Sequence, residues 1–195
     1  MPSDPTILAF DTSAAHCAAA FLRGTEIVAL QSEMMRRGQA ERLMPLLEDV
    51  LAEAGCGWRD LDAIGVGVGP GNFTGIRISV SAARGLALGL AVPAVGVTGF
   101  DALKFLNPTR IPAIPAPREQ VYVQMPDTEP HLTNRDQASA MGPLYSCDDP
   151  ALLVQAIARI AANRWMDAPA PPAPCYVRPA DAAPSSDIPP ALLDG

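Results

Sequence analysis

Residues able to do chemistry gather in two short stretches. The first is Asp11-Thr12-Ser13, which follows a short apolar run. A carboxylate and two hydroxyls at the end of a strand suit a metal-bound phosphate. They suit a polar hairpin turn equally well, because Asp, Thr and Ser favour turns. The second is Gly67-Val68-Gly69-Pro70-Gly71-Asn72-Phe73-Thr74-Gly75-Ile76-Arg77. Alternating glycines close an apolar strand, a Pro-Gly turn follows, and Asn72 and Thr74 offer caps for a long apolar helix. Glycine permits close approach of another backbone. A helix N-terminus presents unpaired N–H groups and a partial positive charge, which suit an anion. Gly69, Pro70, Gly71, Thr74 and Gly75 therefore shape either a phosphate cradle or a tightly packed strand-to-helix turn.

Other chemistries find little support. The chain has two histidines, His16 and His131, in different halves and not spaced for metal ligation. His16 is expected at a strand start, facing solvent. There is no Gly-x-Ser-x-Gly elbow and no Gly-x-x-x-x-Gly-Lys-[Ser/Thr] loop. Four cysteines (Cys17, Cys56, Cys147, Cys175) lie far apart with no Cys-x-x-Cys pair, as for scattered thiols in a reducing cytoplasm. The N-terminus lacks a basic region before an apolar stretch, so no signal peptide is expected. The net charge is −7, and Lys104 is the only lysine. Such a chain binds nucleic acid poorly on its own, since phosphate contacts supply most of that affinity.

The elements that position these residues read clearly in the first half. Strands are expected over Thr6–Phe10, His16–Leu22 and Glu26–Ser32, with Arg23-Gly24-Thr25 as a hairpin turn. Glu41–Ala54 is an amphipathic helix with Leu43, Leu46, Leu47, Val50 and Leu51 on one face. Ala63–Val68 is a buried strand of the parallel type. A helix over Gly75–Leu90, a strand over Ala94–Val97 and a short helix over Phe100–Leu106 follow. This order predicts a mixed five-stranded sheet with helices on both faces. Thirteen of 15 glycines precede residue 100, and 16 of 21 prolines follow residue 107. The chain therefore divides into residues 1–107 and a small, irregular, proline-rich unit over 108–195. In that unit Ile111–Ile114, Val121–Met125, a helix from Pro150 to about Trp165 and a short strand near Tyr176-Val177 are expected. Ala168–Pro174 reads as a semi-rigid linker or surface crossover.

The Gly75–Leu90 helix is small or apolar around most of its circumference, so it is buried on more than one side. It is interrupted by Ser79, Ser81 and Arg84 and does not read as a membrane span. The second burial is expected against another chain, with cover within the single chain as the alternative; Leu43, Leu47, Phe73, Ile76, Arg77, Val80, Ala83 and Leu86 are the candidates near that interface, some of them also facing the chain's own core.

Ile7-Leu8-Ala9-Phe10-Asp11-Thr12-Ser13 together with Gly69-Pro70-Gly71-Asn72-Phe73-Thr74-Gly75-Ile76-Arg77 resembles the bacterial TsaB (YeaZ) family. Gly85-Leu86-Ala87-Leu88-Gly89 and Val95-Gly96-Val97-Thr98 extend the likeness. The resemblance implies an α/β fold of the actin/Hsp70 (ASKHA) type, with two ribonuclease-H-like subdomains, the second reduced. It implies a non-catalytic partner in the assembly that makes threonylcarbamoyladenosine next to the anticodon, in tRNAs reading codons that begin with A. The implied partners are TsaD, the catalytic relative, and TsaE, the accessory ATPase. The chain pairs with itself when alone, reaches tRNA only through the complex, and works in the cytoplasm away from membranes. On this reading there is no catalytic residue, no metal and no required cofactor. Asp11, Thr12, Ser13 and the Gly69–Gly75 turn are a vestigial nucleotide loop, with weak Mg-ATP or Mg-ADP binding at the subunit interface left open. The wider family has been labelled M22 peptidase, an activity that a chain without paired metal-ligand histidines does not support. An actin-like ATPase or small-molecule kinase, with nucleotide in the inter-subdomain cleft, is the alternative. The chain departs from the family pattern at Pro115 and Gln120, where relatives carry Asp and Glu.

Overall fold

In the computed structural model, which describes residues 4–167 and 170–177, strand β1 (Thr6–Asp11) sends alternate side chains to opposite sides. Leu8 and Phe10 enter one apolar core and Ile7 and Ala9 enter another, as a period of two requires. A strand buried on both faces needs a continuous apolar run rather than an alternation. Strands β2 (His16–Arg23) and β3 (Glu26–Met34) pair antiparallel outward from β1. Strands β4 (Ala63–Gly67) and β5 (Ala94–Val97) pair parallel on its other side. The sheet order is β3-β2-β1-β4-β5, the expected mixed five-stranded sheet.

Helices α1 (Gln39–Glu53) and α2 (Phe73–Leu90) cover one face. Leu43, Leu46, Leu47 and Val50 of α1, with Ile76, Val80 and Ala83 of α2, close the core around Leu8 and Phe10. Each large side chain buried there contributes about 1.5–3 kcal/mol. Helix α2 starts two residues before the expected Gly75, because Asn72 Oδ1 accepts from Gly75 N at 2.9 Å and caps the helix there. Thr74 lies exposed in its first turn.

After α3 (Gly99–Leu106) the chain builds a second sheet from β6 (Ile111–Ala116), β7 (Gln120–Val123), β8 (His131–Asn134), the short helix α4 (Arg135–Met141) and β9 (Leu144–Tyr145). Its order is β8-β7-β6-β9. Its core is small: Ala113, Val121, Val123 and Ala138. Strands β8 and β9 and helix α4 are short and weakly apolar, which is why periodicity did not announce them. Helix α5 (Pro150–Arg164) then returns to the first sheet and covers its second face with Val154, Ile157, Ala158 and Ala161. Although it falls within the expected unit over 108–195, α5 packs on the first sheet, where Ile7, Ala9, Ala18 and Ala20 need a cover that β6–β9 do not supply.

Tyr176 and Val177 lie in no strand. In the proline-rich crossover, Pro172 is buried against Gly96. Residues 168–169, and the part of the family likeness beyond Val177, fall outside the described residues. No helix among the described residues is long and apolar enough to cross a membrane.

Candidate functional site

The two chemistry-bearing stretches come together. Strands β1 and β4 are parallel neighbours, so the loops leaving their C-terminal ends lie side by side. Thr12 Oγ1 donates to Gly75 O at 2.7 Å, Asn72 N donates to Ser13 O at 2.6 Å, and Ser79 Oγ donates to Gly67 O at 3.0 Å. A Cβ at Gly71 would run into the Ser13 carbonyl oxygen, and one at Gly75 into that of Thr12. These glycines thus serve close packing of one loop against the other. Gly69, at φ 90°, turns the chain into a cis bond with the buried Pro70.

Asp11 sits at the centre, 4% exposed. Its Oδ1 accepts from Ser13 N at 3.0 Å, and its Oδ2 accepts from Ser13 Oγ at 2.9 Å and lies 2.8 Å from His16 Nε2. Burial works to raise the carboxyl's pKa, but the His16 ring and the Ser13 donors outweigh it and hold it below its ordinary value. His16 is corrected here: it is 5% exposed rather than facing solvent. It opens β2, but its ring turns inward to meet Asp11, a pairing across five residues that no helix or strand period could reveal.

This pair lies on the wall of a cleft of about 1160 Å³ between the two sheets, reached by Gly67 and Val97 from one and Ile114 and Tyr122 from the other. At its edge the Phe73 ring stacks on Tyr176 with centroids 5.0 Å apart, Arg77 lies 3.9 Å over Phe73, and Arg77 Nε donates to Tyr176 Oη at 3.1 Å. Cys147 and Cys175 also line the cleft, and burial pushes both thiols up. Cys17 lies in the first core, its thiol pushed up to about 11, by burial first and then by Glu33. Among the described residues no group of three or more His, Cys, Asp or Glu side chains is placed to hold a metal ion.

The expected contact residues divide. Leu43, Leu47, Ile76, Val80 and Ala83 are no more than 3% exposed and face the chain's own core. They look inward because the sheet beneath α1 and α2 takes their apolar stripe. Leu86 is half-buried against the same core, while Phe73 and Arg77 belong to the cleft edge. The outer face of α2 instead carries Ser81, Arg84, Gly85, Leu88 and Gly89, all exposed, and α1 exposes Met44 and Pro45. Leu88 is 86% exposed. A leucine flanked three and one residues away by helical glycines was the signal for this face.

A family model described as TsaD: tRNA N6-adenosine threonylcarbamoyltransferase matches residues 27–168. The TsaB protein of Haemophilus influenzae is 36% identical over 98 residues, which are 50% of this chain and 41% of that protein. This chain belongs to the TsaB (YeaZ) family. It spans about two fifths of that curated relative's length. An uncharacterised protein of Mycobacterium bovis is 31% identical over 200 residues, covering 92% of this chain and 94% of that one. The solved YeaZ from Pseudomonas aeruginosa is 26% identical with a TM-score of 0.64, covering 88% of this chain and 99% of that one. The fold is the actin-like, ASKHA-type α/β arrangement of this family.

Proposed function

We propose that this chain is a non-catalytic scaffold in tRNA threonylcarbamoyladenosine formation. It docks a TsaD-type catalytic subunit, with TsaE as the accessory ATPase, through the outer face of α1 and α2. Alone, it pairs with a second copy through the same face. One observation carries the reading: Leu88 stands 86% exposed between Gly85 and Gly89, and a Cβ at either glycine would meet nothing within 4 Å. Within the single chain those glycines have no steric purpose, yet each weakens the helix by about 0.5–1 kcal/mol relative to alanine. A second helix approaching closely over Leu88 supplies the purpose. The net charge of −7 supports contact with tRNA through the partner rather than directly.

Size-exclusion chromatography with light scattering, on the chain alone and mixed with its organism's TsaD, tests this. A homodimer that converts to a one-to-one complex, and that Leu88→Glu abolishes while the fold persists, is expected. A monomer indifferent to TsaD would remove the scaffold role. The cleft keeps the actin-like ATPase or small-molecule kinase as a second reading, but both Asp11 oxygens already accept hydrogen bonds inside the chain. Titration with Mg-ATP by calorimetry decides it.

A further inference from the structure

His16 lines the cleft, and its ring has one hydrogen-bond partner among the described residues, Asp11 at Nε2. No enclosed side-chain nitrogen or oxygen among those residues lacks a partner. Nδ1, without a partner, is therefore not sealed in the core, and the cleft is the space that His16 lines. The Asp11 carboxylate is an acceptor, so the Nε2 facing it carries the proton. In the neutral ring the lone pair is then at Nδ1. In its neutral form a ring 95% buried, with one nitrogen held by a carboxylate and the other unpartnered, offers a hydrogen-bond acceptor at the cleft wall.

The rest of the cleft specifies the ligand. Three aromatic rings (Phe73, Tyr122 and Tyr176) line it, with Ile114, Leu153 and Ile157. Arg77 is the one arginine or lysine among the lining residues, and its guanidinium already lies on Phe73 and bonds Tyr176. Asp11 and Asp148, both among the lining residues, disfavour anions. A volume of about 1160 Å³ accommodates a small molecule, for which clefts of roughly 300–1,000 Å³ are usual. We propose that this cleft binds an uncharged aromatic molecule that donates one N–H or O–H to His16 Nδ1. This site is separate from the outer face of α2 and does not depend on the partner reading.

Indole and 1-methylindole, which differ by that single donor, are the probes. The chain contains only two histidines, and His131 is exposed outside the cleft, so it serves as the internal control. Ring-nitrogen NMR on the labelled, full-length chain should show a saturable shift of the His16 signals with indole and none at His131. 1-Methylindole should bind about tenfold more weakly, the loss of one hydrogen bond to an acceptor that the bound ring covers. In His16→Phe the two probes should bind alike. Should that variant not fold, the comparison in the native chain stands by itself. Equal affinity for both indoles in the native chain, or unmoved His16 signals at millimolar indole, would overturn the proposal. So would ADP binding ten times tighter than indole, since that would make the ligand an anion.

Discussion

Replacing Gly85 and Gly89 together by alanine should move two measured quantities in opposite directions. Both glycines lie in α2, and an added Cβ at either would meet nothing within 4 Å. In the single chain the change is therefore a gain of helix propensity, about 0.5–1 kcal/mol at each site and about 1–2 kcal/mol in all. For a chain of this size that corresponds to a rise in Tm of roughly 2–8 °C. Association should weaken over the same pair of methyls, because they hold an approaching helix away and leave Leu88 poorly covered. Losing half of a fully buried leucine's contribution would cost about 1 kcal/mol, roughly fivefold in the dissociation constant. The two effects must be measured apart, since self-association itself raises apparent stability. Urea unfolding belongs at a concentration where sedimentation shows monomer, and affinity belongs at concentrations that span the association. Unchanged or tighter association would refute the reasoning that these glycines exist for a neighbouring helix. An unchanged or lower unfolding free energy would refute the open space described around them.

Gly75→Ala, the same substitution in the same helix, should have the opposite sign. Its Cβ collides with the Thr12 carbonyl oxygen, so chemical denaturation should show a loss of about 1–3 kcal/mol. Acid should unfold the chain partly through Asp11. Its folded pKa is below the ordinary 3.8, so its stabilisation is complete above that value and is lost as pH falls through the folded value. Asp11→Asn should destabilise at neutral pH and flatten the acid limb of a stability profile below about pH 4. Tyr176→Ala removes the stack on Phe73 and the bond from Arg77, worth about 0.5–1.5 kcal/mol for the rings. Hydrogen exchange should then speed up at the Cys175 amide, which donates to Val68 O at 2.8 Å; an unchanged rate would mean that the stack does not hold this segment down.

Much of this was legible in the residues, and the exceptions have physical causes. The apolar run Thr6–Phe10 and the periodicity of α1 gave their elements directly, because burial on two faces and on one stripe leave different patterns. The Gly67–Arg77 run announced a tight turn but left its purpose open. Only the contacts of Gly71 and Gly75 with the Ser13 and Thr12 carbonyls show that each glycine answers a neighbouring backbone. The outward and inward sides of α2 look alike in sequence because, Arg84 apart, both are made mostly of small or apolar residues. Hydropathy separates apolar from polar and says nothing about which apolar side meets the chain's own sheet. His16 escaped because its partner is set by how the β1–β2 turn folds back, a geometry with no spacing rule.

Helix α5, supplied from beyond the second sheet, has a consequence for how the chain is made. The central strands end with β5 at Val97, while their second cover begins at Pro150. At about 5–20 residues per second, a ribosome needs roughly 3–13 s to pass from the end of β5 to the end of α5. Throughout that interval the nascent sheet can satisfy its α1 and α2 side but leaves Ile7, Ala9, Ala18 and Ala20 facing water. Ribosome-bound chains stalled before residue 150 should therefore recruit chaperones and be cleaved readily by protease, whereas chains stalled once residue 167 has cleared the exit tunnel should resist both.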